Sequence, residues 1–157
     1  RMGGGMSVGR WRYCEKRKAL MADGFVLRSI DSRQAAVVCV LFDAVGWQPR
    51  RPPQMGVALD KSLHAVGVFM GQTLVGFGRL VGDGVFNAIL YDLVVLPDLR
   101  GLGVGKQIVE HCRQWCCVMG VPRMELISTK QAEGFYATLG GTEVKAFYME
   151  CNDEEDK

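Results

Sequence analysis

"LPDLRGLGVGKQIVEHC", residues 96–112, sets Gly101, Gly103 and Gly105 at alternate positions between Arg100 and Lys106. An amphipathic helix follows at once. Ile108, Val109, Cys112, Trp115, Cys116 and Met119 form its apolar stripe, and Gly120 and Pro122 end it. Each glycine inside a helix costs up to ~1 kcal/mol relative to alanine, so glycines at a helix start need a reason. A nucleotide P-loop requires G-x-x-x-x-G-K-[ST]. With Gly105 and Lys106 as its end, the first glycine falls on Arg100 and the hydroxyl on Gln107. A dinucleotide fingerprint requires G-x-G-x-x-G, and its third glycine falls on Lys106 or Ile108. Both patterns fail. What remains is R-x-x-G-x-G, formed by Arg100, Gly103 and Gly105. Backbone N–H groups at such a helix start make a concave nest, and the helix dipole adds partial positive charge. Glycines let a pyrophosphate approach without meeting Cβ atoms, and Arg100 and Lys106 add cationic contacts. The alternative is a turn that binds nothing, but such a turn requires only one glycine.

Working outward, the apolar patterning predicts a first strand at 25–30 and a helix from Asp31 and Ser32 to about Val45. A proline-containing loop and a short helix ending near Ser62 come next. Strands at 64–70 and 73–81 are joined by Gly71 and Gln72, a two-residue hairpin turn. A long strand is expected at 85–96, stopped by Pro97. The helix from about Gly103 to Met119, a strand at 123–128, a short helix at 131–140 and one or two final strands at 142–151 complete the chain. Hairpins precede a single β-α-β crossover, so the expected class is α+β (mixed α/β): a mostly antiparallel sheet flanked by helices rather than a doubly wound parallel one.

The 157 residues suit a single domain, expected at 23–151, and the composition of 48% hydrophobic and 23% charged residues is that of a globular protein. Residues 1–22 are basic and glycine-rich and are expected to be a flexible tail, with a mitochondrial-type leader as the alternative; residues 152–157 form an acidic tail. From residue 23 onward 13 basic residues face 16 acidic ones, which argues against a nucleic-acid partner. No apolar run reaches the roughly 18 residues that span a membrane, so no membrane partner is expected. Six cysteines occur without a C-x-x-C pair. They are expected to be reduced core thiols with no metal, pointing to an intracellular, cytoplasmic setting.

With the preceding strand "VVLPD", the 94–112 segment resembles the acyl-CoA-binding motif, [Q/R]-x-x-G-x-[G/A], of the GNAT superfamily of N-acyltransferases. "EGFYATLGG" at 133–141 resembles that family's F-Y-x-x-x-G-F segment, with Gly141 where an aromatic is usual. The resemblance covers about residues 25–151 in element order and is specific from about Tyr91 to Gly141. It implies a central mixed sheet of six to seven strands with about four helices. It also implies acetyl-CoA as the acyl donor, with its pyrophosphate on the N–H groups of Arg100, Gly101, Leu102, Gly103, Val104, Gly105 and Lys106. The pantetheine arm would lie along Leu93, Val94 and Val95, on a strand that the family bulges and splays from its neighbour, with Ser128 a further contact.

The implied reaction is direct attack by an amine on the thioester. An alkyl ammonium of pKa near ~10.4 is neutral in about one molecule in ~2,500 at pH 7, a deficit of ~4.6 kcal/mol that a carboxylate, or a water held by one, lowers. Asp92 is the first candidate for that base and Glu125 the second; Tyr136 stands where the family often places a general-acid tyrosine. Trp47 and Tyr91 are candidates for lining the acceptor pocket. A small-molecule primary amine is the expected acceptor, favoured over a protein lysine or N-terminus by the mildly acidic folded part. The expected assembly is a monomer or homodimer. A CoA-binding regulatory module without chemistry is the alternative of another class.

Overall fold

The computed structural model describes residues 24–147 and residue 149. Residues 1–22 and 152–157, Cys14 and Cys151 lie outside the described residues. The chain forms two compact units that divide between Leu126 and Ile127. The first contains β1 (Val26–Ser29), α1 (Ala35–Ala44), α2 (Pro52–Asp60), β2 (His64–Met70), β3 (Thr73–Gly82), β4 (Ala88–Val95), α3 (Val104–Met119) and β5 (Met124–Leu126). The second contains α4 (Glu133–Thr138). The sheet runs β1-β2-β3-β4-β5. Its pairs are antiparallel except β4 with β5, which α3 joins as a parallel crossover. The expected mixed α+β class and hairpin-then-crossover order are therefore observed.

Local chemistry explains where the elements begin. The first expected helix opens as a 3-10 turn at Ser32–Gln34, where the Asp31 carboxylate accepts from the Arg33 N–H and the Gln34 side chain accepts from the Asp31 N–H. β4 starts at Ala88 rather than Val85. Asp83 Oδ1 accepts from the N–H groups of Val85 (2.8 Å), Phe86 (2.8 Å) and Asn87 (3.2 Å), so those donors are satisfied outside the ladder. At the far end of α3, Gly120 takes the left-handed conformation (φ 74°) that closes the helix. The six or seven strands implied by the family resemblance become five among the described residues. The alternating stretch at 142–147 is exposed and not a strand. Alternation selects a face, but a strand forms only by pairing, which the apolar pattern of a segment does not supply.

The sheet buries both faces. On one, Phe77 meets Phe42 of α1 edge-on at 5.9 Å, and both rings are fully buried. On the other lies α3, brought close by two strand glycines. A Cβ at Gly76 would lie 2.8 Å from Val104 Cγ1 and 3.1 Å from Ile108 Cδ1, and one at Gly78 would lie 2.8 Å from Ile108 Cγ2. Val104, Ile108 and Cys112 are almost wholly buried here, and burial pushes the Cys112 thiol up to about 12. Cys39, Cys112 and Cys116 are buried free thiols, as the composition leads one to expect, while Cys117 is exposed. No group of three or more metal-binding side chains occurs among the described residues. No described helix is long and apolar enough to cross a membrane.

Two predictions follow from this packing. Strand propensity favours alanine over glycine by roughly 0.5–1 kcal/mol, but Gly76→Ala collides with two immobile side chains. Overpacking wins, and urea denaturation should show a net loss of about 1–3 kcal/mol; a gain would show that α3 is free to move away. The second concerns His64, whose Nε2 lies 3.1 Å from His111 Nε2 and whose ring stacks on Trp115. Burial, and then the neighbouring His111, hold the His64 imidazole below its ordinary value of 6.5. The unfolded chain therefore takes up this proton first as the pH falls. Stability should be level with respect to this group above about pH 6.5 and decline below it. Denaturation curves across that range should show the slope, and His64→Gln should reduce it.

Candidate functional site

The site is built where β4 hands over to α3. After Leu96, a 3-10 turn at Pro97–Leu99 plants the buried Leu99 in the core. Gly101 (φ 76°) and Gly103 (φ 83°) then carry the chain through two left-handed conformations. Among the described residues, an added Cβ at either position meets nothing within 4 Å. Backbone conformation rather than space is thus what requires these two glycines, so the turn by itself uses two, where a turn that binds nothing was expected to require only one. Gly105 has no such requirement: it is the second residue of α3, which starts at Val104. Among the described residues no side chain caps this helix. Its ladder begins with Gln107 N–H donating to the Gly103 carbonyl at 3.0 Å, so the N–H groups of Val104, Gly105 and Lys106 precede it. Arg100 folds back, its Nε donating to the Val95 carbonyl at 3.3 Å, while the Lys106 side chain is exposed. An uncapped helix N-terminus shaped by glycines fits a pyrophosphate.

β4 itself is irregular. Val94 pairs with Phe77 and Tyr91 with Arg79, so two residues of β4, Asp92 and Leu93, oppose the single Gly78. Asp92 is the only non-glycine residue with positive φ (55°) among the described residues. Its side chain is 6% exposed and held by two guanidinium groups. Arg50 Nη1 and Nη2 each donate to one Asp92 oxygen at 2.9 Å, and Arg79 Nε donates to Oδ2 at 2.6 Å. β5 pairs with β4 only through Ala88, Ile89 and Leu90, so residues 91–95 continue beyond it. A strand that bulges and then outruns its parallel neighbour leaves an edge that an extended ligand could join.

The first unit brings together Asp92, Leu93, Val94, Val95 and the 100–106 turn along one strand and the helix after it. Val94 is buried, and Leu93 and Val95 are half-buried. Glu125 pairs with Ile89, Ile89 with Val81, and Tyr91 with Arg79. The alternation places Glu125, Tyr91 and Arg79 on one sheet face. The Glu125 side chain is 42% exposed, with Arg123 Nη1 at 3.6 Å. Trp47 stacks on Phe42 at 5.1 Å, and Tyr91 is exposed. In the second unit, Ser128 Oγ donates to the Thr129 carbonyl at 2.8 Å. Tyr136 meets Phe135 edge-on at 5.0 Å, and burial raises its phenol above the ordinary value. Sequence reasoning missed Arg50 and Arg79. They stand 42 and 13 residues from Asp92, and no spacing rule relates them.

Residues 36–140 match the model of the Acetyltransferase (GNAT) family. The chain is 35% identical over 131 residues to GCN5-related N-acetyltransferase 1, chloroplastic, of Arabidopsis thaliana, covering 82% of this chain and 66% of that protein. It is 33% identical to serotonin N-acetyltransferase 2, chloroplastic, of Oryza sativa subsp. japonica, covering 77% of this chain and 63% of that one. The solved structure of a GNAT family acetyltransferase from Streptococcus pneumoniae TIGR4 superposes with a TM-score of 0.69 at 24% identity, covering 82% of this chain and 99% of that one. The chain belongs to the GNAT family, as the glycine turn and its strand implied. It spans about two thirds or less of the length of these curated relatives.

The two left-handed glycines give a direct test. Gly101→Ala and Gly103→Ala should each lose about 1–2 kcal/mol in urea denaturation, because alanine is strained at such φ values. Wild-type stability in both would mean that the turn is not left-handed at these positions.

Proposed function

We propose that this chain transfers an acetyl group from acetyl-CoA to a small-molecule primary amine by direct attack. The observation that carries the proposal is the continuity of the bulged edge of β4 with the uncapped, glycine-shaped start of α3. In this reading the N–H groups across residues 100–106 hold the donor's pyrophosphate, with Lys106 supplying charge. Leu93 and Val95 offer backbone groups to the pantetheine arm, and a bulge N–H steadies the thioester carbonyl oxygen as the amine adds. Ser128 is proposed as a further contact of the arm.

Two carboxylates are candidates for the base on the amine side. A carboxylate has about four acceptor sites, and Asp92 commits three of them to Arg50 and Arg79. Glu125 is more open: its side chain is 42% exposed, and Arg123 Nη1 lies 3.6 Å away. We therefore place proton removal on Glu125, through a water, ahead of Asp92, and assign Asp92 to holding the bulge. Tyr136 is the proposed donor to the departing thiolate, and its raised phenol remains protonated through neutral pH. The excess of three acidic residues beyond residue 22 suits a cationic amine. A relative named serotonin N-acetyltransferase supports a small acceptor, and relatives named chloroplastic support an intracellular location without favouring the cytoplasm.

Calorimetry with acetyl-CoA and CoA, followed by thiol release across small primary amines and a lysine peptide, tests the proposal. Binding of both, with turnover on small amines, is expected. Binding without turnover would favour a regulatory module, and turnover on the peptide alone would favour a protein acceptor. Tyr136→Phe should reduce kcat by about 10²-fold or more and leave CoA affinity unchanged; unaltered kcat would remove Tyr136 from the acid role.

A further inference from the structure

Asp92 presents a problem of economy. Glycine would adopt its left-handed conformation freely, whereas a side chain there is strained. Burying a carboxylate with two guanidinium groups is also no efficient route to stability, since apolar side chains of similar volume often do as well. The chain nevertheless places a buried aspartate at its only left-handed non-glycine position among the described residues. The side chain must therefore supply something glycine would not.

What it supplies is a connection. Arg79 projects from β3, opposite Tyr91, and is 14% exposed. Its Nη1 also donates to Ser62 Oγ at 3.3 Å, and that hydroxyl donates to the Ala58 carbonyl of α2 at 2.7 Å. Arg50 comes from the loop between α1 and α2 and is 39% exposed. Its guanidinium carbon sits 4.8 Å over the Phe42 ring, on which Trp47 of the same loop stacks. The two hydrogen bonds from Arg50 to Asp92 tie this loop to the bulge.

We propose that Arg50 and Arg79 are positioning residues for the transfer reaction, acting through Asp92. Arg79 holds the bulge against β3 and α2. Arg50 locks the α1–α2 loop to the same carboxylate, so that Trp47, taken as a lining residue of the acceptor pocket, is set relative to the strand edge that presents the thioester. The proposal rests on the transferase reading above. It extends that reading by making one loop arginine set the register between the two substrates.

Steady-state kinetics of Arg50→Gln and Arg50→Lys, alone and in an Asp92→Asn background, decide it, with acetyl-CoA affinity measured by calorimetry. Arg50→Gln should lower kcat/KM for the amine at least tenfold, through both kcat and amine KM, with acetyl-CoA affinity within twofold of wild type. Arg50→Lys keeps the charge but not the paired geometry and should recover only part of the loss. In the Asp92→Asn background, Arg50→Gln should add little, because the two residues act as one unit. Arg79→Gln should lower kcat as well. An Arg50→Gln variant within twofold of wild type, or a loss confined to acetyl-CoA affinity, overturns the proposal while leaving the transferase reading intact. Full additivity with Asp92→Asn also overturns it. If Asp92→Asn does not fold, the Gln and Lys variants of Arg50 decide the matter alone. Wild-type protein that neither binds acetyl-CoA nor releases thiol refutes the transferase reading, and the positioning role falls with it.

Discussion

The structure turns on a single ion-paired residue in the middle of a strand. Asp92 holds a left-handed backbone in β4, where two residues must oppose one on β3. Without the bulge, β4 would be an ordinary antiparallel partner with its edge committed to regular alternation. With it, the register shifts just beyond the point where β5 stops pairing, and the last residues of the strand run on toward the glycine turn. The conformation is unfavourable for a side chain and the charge is buried, so the arrangement persists only because Arg50 and Arg79 satisfy both carboxylate oxygens. Strain, charge and sheet irregularity are one local compromise.

The helix start depends on a second constraint of the same strand pair. Gly76 and Gly78 of β3 remove the side chains that would hold α3 away from the sheet. Val104 and Ile108 fill the space and fix the first turn of the helix at the end of β4. The bare N–H groups of that turn are therefore anchored by buried aliphatic contacts below them rather than by a cap. A capping side chain would have stabilised the helix by about 1 kcal/mol and occupied the donors an anion would use. Local stability is given up where binding is proposed, a pattern common at functional sites.

Much of this was legible in the chain. The hairpin at Gly71 and Gln72, the helix stop at Gly120 and the strand-then-glycine junction all rest on short-range rules, and the structure places each where those rules do. Other features were not legible. The strand after Asp83 starts late because one carboxylate captures three backbone donors, an outcome that apolar alternation does not register. Residues 142–147 alternate like a strand, yet pairing was absent from the sequence signal and no ladder forms. Strand glycines 76 and 78 carry no mark that separates a packing glycine from a casual one.

By itself, the sequence determined the order of elements as far as α4, the mixed sheet, the family and the identity of the turn that ends β4. The elements and the turn follow from periodicity and from glycine's access to left-handed conformations, both of which act over a few residues, whereas the family was read from the resemblance carried by the motifs at 94–112 and 133–141. Only the tertiary structure decided which groups meet at the bulge. Arg50 and Arg79 are distant from Asp92 along the chain and reach it because β3 pairs with β4 and the α1–α2 loop passes the same face. An ion pair of that kind is set by where the backbone brings three charges, and no local pattern encodes it. Asp92, conspicuous in the sequence as a candidate base, thus emerges as the residue through which the sheet and the loop are joined.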